Sequence, residues 1–316
     1  MADLELGYGV QQFFVNGGTD AWIVRISRRA TSAQIIKGIH ALDKVDLVNL
    51  LAIPGCSAPE VIAAALEYCA KRRAFFIIDS PRDSVSPAQI VEALASGAIP
   101  RSANAAVYFP WIRVADSLRN NQLRTTPPSG AVAGLIARFD AARGVWKAPA
   151  GIDATVPGAQ ALTRDMSNGE NGMLNSLGVN CLRRLPNGIV VWGARTLAGA
   201  DQLASEWKYV PVRRTALFLE QSIERGLQWA VFEPNGEALW AAIRLSIGAF
   251  LNELFRAGAF EGRTPHEAYF VKCGRETITQ QDLDAGFLNV LIGFAPLKPA
   301  EFVVLKIRIK AGTPTE

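Results

Sequence analysis

Apolar runs alternate with helix-like segments through the first half of the chain, and this alternation limits the possible folds more than any other feature. Residues 47–53, 74–78 and 105–111 are almost entirely apolar, and the segments between them place apolar side chains at helical spacing. A strand is apolar on both faces when both faces are covered, which is typical of parallel sheets flanked by helices. We therefore expect an α/β fold with a largely parallel sheet, which also includes a strand at residues 21–26.

The expected helices of this half occupy residues 31–45, 57–73, 86–96 and 131–142. The segment 147–205 differs, because it is rich in Gly, Asn, Pro and Ala and has only brief strand signals. We expect it to be irregular and to contain one hairpin, with its turn at Pro186-Asn187-Gly188.

The last third predicts a smaller α+β domain. Helices are expected at 212–226 and 236–258, and strands at 227–232, 268–273, 287–294 and 302–309. The long helix has one broad apolar stripe, which is more typical of a core helix than of a partner-binding groove. We place the domain boundary at 205/206, giving domains 1–205 and 206–316.

The final strand has two distinct faces. Val303, Leu305, Ile307 and Ile309 share one face, whereas Lys306 and Arg308 lie on the other. A terminal strand can pair within its own sheet or be donated to a neighbouring molecule. The residue pattern favours self-pairing and leaves donation open.

Composition excludes several classes of protein. Of the 316 residues, 49% are hydrophobic and 20% are charged, a composition typical of a globular protein. The sequence has no run of 18 apolar residues, so it does not predict a membrane-spanning helix. The first 20 residues lack the basic-then-apolar order of a secretory signal, so we expect synthesis in the cytoplasm. The net charge of +4 is spread over scattered Lys and Arg, which does not predict nucleic-acid binding.

Catalytic and metal-binding patterns are missing from the sequence. Phosphate-binding, dinucleotide-binding, zinc-protease and serine-hydrolase motifs do not occur. The four cysteines have no CxxC spacing and are expected to be free, buried thiols. His40 lies inside an expected helix and His266 in a polar turn. Asp79 ends a parallel strand, where α/β enzymes often place catalytic groups, but a turn or a helix cap explains it equally well. We expect no catalytic, cofactor-binding or metal-binding residue; an α/β hydrolase remains a minor alternative.

Separated motifs carry a resemblance to one family. They are Phe13-Phe14-Val15-Asn16-Gly17-Gly18, Pro127-Pro128-Ser129-Gly130, residues 143–150, Val191-Trp192-Gly193-Ala194-Arg195-Thr196, residues 209–214 and Phe232-Glu233-Pro234-Asn235. In this order they resemble the sheath protein of contractile phage tails, tailocins and extracellular contractile injection systems. Each motif is weak alone, but together they cover nearly the whole chain.

The resemblance implies a subtilisin-like α/β domain without a catalytic triad, followed by a small α+β domain. It implies a non-enzymatic role, with protomers stacked as six-fold rings in a helix around an inner tube. Contraction then drives the tube through a target envelope. Baseplate and terminator proteins are the other implied partners. The resemblance also implies that the final strand is donated to a neighbouring protomer through its apolar residues Val303, Leu305, Ile307 and Ile309. The residues that could contact an acidic tube surface are Lys272, Arg275, Lys298 and Lys306.

One departure from the family concerns the N-terminus. Sheath proteins carry an N-terminal arm before the Phe-Phe-x-Asn-Gly-Gly motif, which here begins at Phe13. The expectation is that the arm is missing and that the mesh between protomers is incomplete. The alternative is a baseplate-type or binding protein with the sheath fold that does not polymerise.

Overall fold

The computed structural model describes residues 2–27, 30–297 and 303–310 of the chain. The chain divides into two compact units, Met1–Arg213 and Arg214–Glu316. The boundary lies inside one helix, Val210–Gly226. Each unit is described by itself below.

The first unit is built on a five-stranded sheet. Its helices are α1 (Ala2–Val15), α2 (Ser32–His40), α3 (Pro59–Arg72), α4 (Pro87–Ala95), α5 (Ser129–Arg143) and α6 (Asn168–Ser176). Its strands are β1 (Leu50–Ala52), β2 (Phe75–Asp79), β3 (Ala105–Phe109), β4 (Ile112–Asp116), β5 (Gln122–Thr126), β6 (Ala159–Leu162), β7 (Val179–Leu185) and β8 (Gly188–Val191). The sheet order is β1-β2-β3-β7-β8, in which the first four strands are parallel.

The parallel sheet confirms the α/β expectation. Every residue of β2 and β3 is buried, which explains why these strands are apolar without alternation. The expected hairpin is also confirmed, since β7 and β8 pair antiparallel and close on Leu185 opposite Gly188. A second, antiparallel sheet, β5-β4-β6, was not expected from the sequence.

Two glycines let helices α1 and α5 approach closely. A Cβ atom on Gly130 would meet the backbone of Gly9, and one on Gly134 would meet the carbonyl oxygen of Phe13. The motifs around Phe13 and Ser129 therefore meet in space, because glycine spaced by four along a helix leaves room for a second backbone.

Two expected strands are wrong. Residues 21–26 form no regular strand, and Trp22 at their start is 73% exposed. Residues 227–232 contain a 3₁₀ turn at Gln228–Ala230 instead of a strand. In both places an apolar run has the composition of a strand but lacks a neighbouring strand to receive its backbone hydrogen bonds.

The second unit combines helices with a three-stranded antiparallel sheet. Helix α7 (Val210–Gly226) leads into it, followed by α8 (Glu237–Arg256), α9 (Pro265–Ala268), α10 (Gln280–Asp284) and strands β9 (Tyr269–Lys272), β10 (Phe287–Phe294) and β11 (Val303–Lys310). The sheet order is β11-β10-β9.

Helix α8 buries the apolar stripe expected from its sequence. Its buried residues are Leu239, Trp240, Ile243, Ile247 and Leu251. Among the described residues α8 is also the one helix whose length and composition would allow it to cross a membrane. Core helices of soluble proteins can have the same length and composition.

Candidate assembly site

The C-terminal strand forms a complete ladder with its neighbour. All eight residues of β11 pair antiparallel with β10, from Val303 opposite Phe294 to Lys310 opposite Phe287. In the single chain, β11 therefore pairs within its own sheet, as the residue pattern favours. Donation of the strand to another protomer remains a prediction.

The register of this ladder explains the alternating pattern of the strand. Positions 303, 305, 307 and 309 lie opposite Phe294, Ile292, Val290 and Leu288, respectively. All four residues of β10 are buried. Residues directly opposite each other in an antiparallel pair share one face of the sheet, so the apolar positions of β11 belong to the face that β10 turns toward the core. Because apolar positions of β11 must lie opposite buried residues of β10, the register is the same whether β11 comes from this chain or from another copy.

The same sheet collects two of the expected basic residues. Lys272 of β9 lies opposite Leu291 of β10, and Leu291 lies opposite Lys306 of β11, so one row across the sheet contains both lysine positions. Lys272 is exposed, with its Nζ 5.5 Å from the centre of the Phe270 ring. Arg275 is exposed in the loop that follows β9. Lys298 lies outside the described residues.

A glycine that sequence reasoning did not single out shapes the centre of this sheet. The ring of Phe270 on β9 occupies the space that a Cβ atom on Gly293 of β10 would need. A glycine within an otherwise apolar strand is the available sequence signal for such a close approach. The ring thus covers the middle of the face that also carries Lys272.

Asp79 in the first unit is buried and accepts hydrogen bonds from Gly55 and Ser129. The donors to its carboxylate are the Gly55 amide at 2.9 Å, the Ser129 amide at 2.8 Å and the Ser129 hydroxyl at 2.7 Å. Burial raises the pKa of Asp79 to about 6, although the hydrogen bonds from Gly55 and Ser129 oppose the increase. The carboxylate joins the end of β2 to the first turn of α5 and the loop after β1.

The histidines do not complete a catalytic group with Asp79. Nδ1 of His40 lies 3.4 Å from the carboxylate of Asp43 at the exposed end of α2, and His266 is exposed in α9. All four cysteines are free; Cys69, Cys181 and Cys273 are buried, and Cys56 is half-buried. The described residues contain no group of three or more His, Cys, Asp or Glu that could hold a metal ion.

Two family models match successive regions of the chain. The model described as the phage tail sheath protein central domain matches residues 29–197. The model described as the phage tail sheath C-terminal domain matches residues 203–310. The two matches together include the parallel sheet of the first unit and the three-stranded sheet of the second.

Individual proteins and solved structures that are similar to this chain also come from tail sheaths and contractile particles. A prophage major tail sheath protein of Pseudomonas aeruginosa is 31% identical over 217 residues, which is 67% of this chain and 53% of that protein. The chain thus spans about half the length of this relative. The sheath complex of the PVC extracellular contractile injection system, solved in its contracted state, is similar with a TM-score of 0.78 and 32% identity, covering 95% of this chain and 79% of the other. A chain in the baseplate structure of the anti-feeding prophage is similar with a TM-score of 0.77 and 30% identity, covering 95% and 79%.

Proposed function

The chain belongs to the phage tail sheath family, and from this premise we propose that it is a structural subunit of a contractile sheath. In this proposal, copies polymerise as a helix of six-fold rings around an inner tube and contract to drive the tube through a target envelope. The observation that carries the proposal is the similarity over 95% of this chain to a sheath complex in its contracted state. Its other partners would be baseplate and terminator proteins, and it would be located in the assembled virion tail or contractile particle.

We assign the connection between protomers to the three-stranded sheet. The β11 strand can leave β10 of its own chain and bind β10 of a neighbour with the same eight pairs, so the exchange conserves the backbone hydrogen bonds. The apolar positions Val303, Leu305, Ile307 and Ile309 would meet the same buried row of β10 in the neighbour. This equivalence supports donation as an alternative to self-pairing.

We assign the tube-facing surface to the basic row of this sheet. Lys272 and Lys306 share one row, and Arg275 follows β9 directly. Together with Lys298 they would attract an acidic tube surface, and such rim charges act mainly on the rate and orientation of docking.

The first unit would serve as a non-enzymatic scaffold. The proposal gives residues 1–205 a subtilisin-like arrangement, which the parallel order β1-β2-β3-β7 supports. The three hydrogen bonds that enclose Asp79 support a structural role for this carboxylate rather than a catalytic one. Neither nucleic acid nor membrane insertion has a part in this function.

Disulfide trapping tests strand donation directly. Leu305 and Ile292 lie opposite each other across β11 and β10, within the range that a disulfide can bridge. In a chain with Leu305→Cys and Ile292→Cys, donation predicts a ladder of covalent oligomers on a denaturing gel after assembly and oxidation. Disulfides confined to single chains would contradict donation. Each single-cysteine variant is the control.

A truncation tests the same strand without added cysteines. Deleting residues 301–316 is expected to abolish tubes in electron micrographs while circular dichroism still shows a folded monomer. Deleting residues 311–316 alone preserves β11 and is expected to leave tube formation intact. Normal tubes from the longer deletion would contradict the role of β11.

The similarity to a chain in a baseplate structure favours a second candidate, a sheath-fold baseplate protein that does not polymerise. A wild-type chain that binds a baseplate partner but never forms tubes would support this candidate over the first.

A further inference from the structure

The loop before helix α8 holds an aromatic side chain out of the protein in a strained conformation. Phe232 is 76% exposed and has a backbone φ of 76°. Positive φ is uncommon for any residue other than glycine and is an outlier for a bulky one. Such strain persists where the surrounding structure enforces it, and it concentrates at functional positions.

Asn235, in the same loop as Phe232, anchors that loop to its surroundings. The side-chain amide of Asn235 donates to the carbonyl oxygen of Phe287 at 3.1 Å, and its oxygen accepts from the indole of Trp240 at 2.8 Å. The loop is thereby tied to β10 and to α8. Because this anchor restrains the loop backbone, less conformational entropy is lost when the ring docks.

A second aromatic residue lies three positions earlier. Trp229, in the 3₁₀ turn Gln228–Ala230, is 46% exposed. We refer to Trp229 and Phe232 together as the aromatic knob. Exposed Trp and Phe residues in rigid positions are typical anchors of protein–protein interfaces.

The first unit carries an open apolar groove large enough for such an anchor. It runs along β1, an edge strand of the five-stranded sheet, and has a volume of about 790 Å³. We call it the β1 groove, and its lining includes Trp22, Val24, Ile39, Leu50, Ala52 and Ala137. Residues of the segment 21–26 also line it, and Val24 and Ile26 pack against Gly38 of α2. Apolar clefts of this size accommodate several side chains of a ligand.

We propose that the aromatic knob of one copy docks into the β1 groove of a second copy of this chain. The knob and the groove are different surfaces, so copies can dock head to tail; repeated from copy to copy, such a heterologous contact builds an open helix when its rotation does not close into a ring. A second copy is the favoured occupant because a similar chain belongs to a sheath complex and, in the proposed sheath, every copy contacts other copies. The proposal rests on the proposed sheath function and adds a side-chain contact to the exchange of β11.

Glycine at position 232 separates docking from folding. Phe232→Gly removes the ring and relieves the positive φ, so we expect an unfolding temperature equal to or above that of the wild type. Sedimentation velocity should show self-association weakened by about 30-fold or more, as for an interface anchor. Leu245→Ala is the matched control, because Leu245 of α8 is 75% exposed and lies outside the knob; its association should equal that of the wild type. Unchanged association of Phe232→Gly would overturn the proposal.

A mixing experiment identifies the groove. Ala137→Trp in α5 fills the groove and leaves the knob intact, whereas Phe232→Gly removes the knob and leaves the groove open. Each variant alone should fail to associate through this contact, whereas an equal mixture should form mixed complexes, since the knob of one variant can enter the groove of the other. Absence of mixed complexes from two variants that are each folded by circular dichroism would overturn the assignment of the groove.

Electron microscopy distinguishes this inference from the sheath function. Tubes from Phe232→Gly as abundant as those from wild type would overturn the knob and leave the sheath function standing. Wild-type self-association that is sensitive to Phe232→Gly, with no tubes under any condition, would support the knob and contradict the sheath function.

Discussion

The five-stranded sheet of the first unit and the three-stranded sheet of the second differ in what holds their strands. Strands β2 and β3 are buried at every residue. Strand β9 is half-buried, and its last residue, Lys272, is exposed. Side-chain burial therefore dominates in β2 and β3, whereas at β9, on the edge of the second sheet beside the buried strand β10, backbone pairing has a larger share. Backbone pairing is the interaction that a strand from another molecule can supply equally well, so the second sheet is the one suited to exchange.

The largest expected effect comes from a cavity in the first sheet. Phe76 of β2 is 2% exposed and belongs to the main apolar core, so Phe76→Ala should lower the free energy of unfolding by about 3–5 kcal/mol. Val271→Ala in half-buried β9 should cost about 1 kcal/mol. Urea unfolding followed by hydrogen exchange of β2 and β10 amides separates the two units, because a chain of two units need not unfold in one step. Equal losses would remove the distinction between the sheets.

A pH dependence confined to the first unit is the next largest effect. Because burial raises the pKa of Asp79 to about 6 from an ordinary 3.8, the folded state holds a proton that the unfolded state releases between these values. Stability from this group is fully present below pH 4 and is lost as the pH rises to 6, by about 3 kcal/mol. Hydrogen exchange of β2 amides at a series of pH values measures the loss.

Asp79→Asn is the control for this pH dependence. It removes the titrating group, so the decline in β2 stability between pH 4 and pH 6 should be absent in the variant. Exchange of β10 amides should follow the same pH profile in both proteins. A decline that persists in Asp79→Asn would assign the titration to another group.

The smallest expected effects come from two glycines in different surroundings. A Cβ atom at Gly134 of α5 would meet the backbone of α1, whereas one at Gly293 of β10 would meet the ring of Phe270. A ring can turn away more easily than a backbone can move, so Gly134→Ala should cost more than Gly293→Ala, within a range of about 1–3 kcal/mol for overpacking. Thermal unfolding of the two variants makes the comparison. A larger loss for Gly293→Ala would show that the Phe270 ring yields less readily than the backbone of α1.

Much of the scaffold could be predicted because its signals are local. Apolar runs predicted β2 and β3, helical spacing predicted α8, and Pro186-Asn187-Gly188 predicted the hairpin of β7 and β8. The antiparallel sheet β5-β4-β6 was missed. Its strand β5 is mostly polar and exposed or half-buried, and therefore carries no clear periodic signal.

The candidate assembly site was predicted only in part. Alternation in β11 predicted a two-faced strand, and the register with β10 confirmed which positions share a row with buried residues. The groove along β1 could not be foreseen, because the segment 21–26 has a strand-like composition, and only the fold shows that it lies beside β1 without joining the sheet. The positive φ of Phe232 likewise shows only in the fold, in the loop where Asn235 is held by α8 and β10.

The sequence by itself determined the parallel strands, the helices between them and the family to which this protein belongs, because apolar periodicity and ordered motifs are properties of neighbouring residues. The tertiary structure decided which strands end as edges, which apolar side chains remain exposed and which carboxylate is enclosed. These outcomes depend on partners far apart in the chain, since a strand, a buried charge or a strained loop is stable only with the groups that surround it in space.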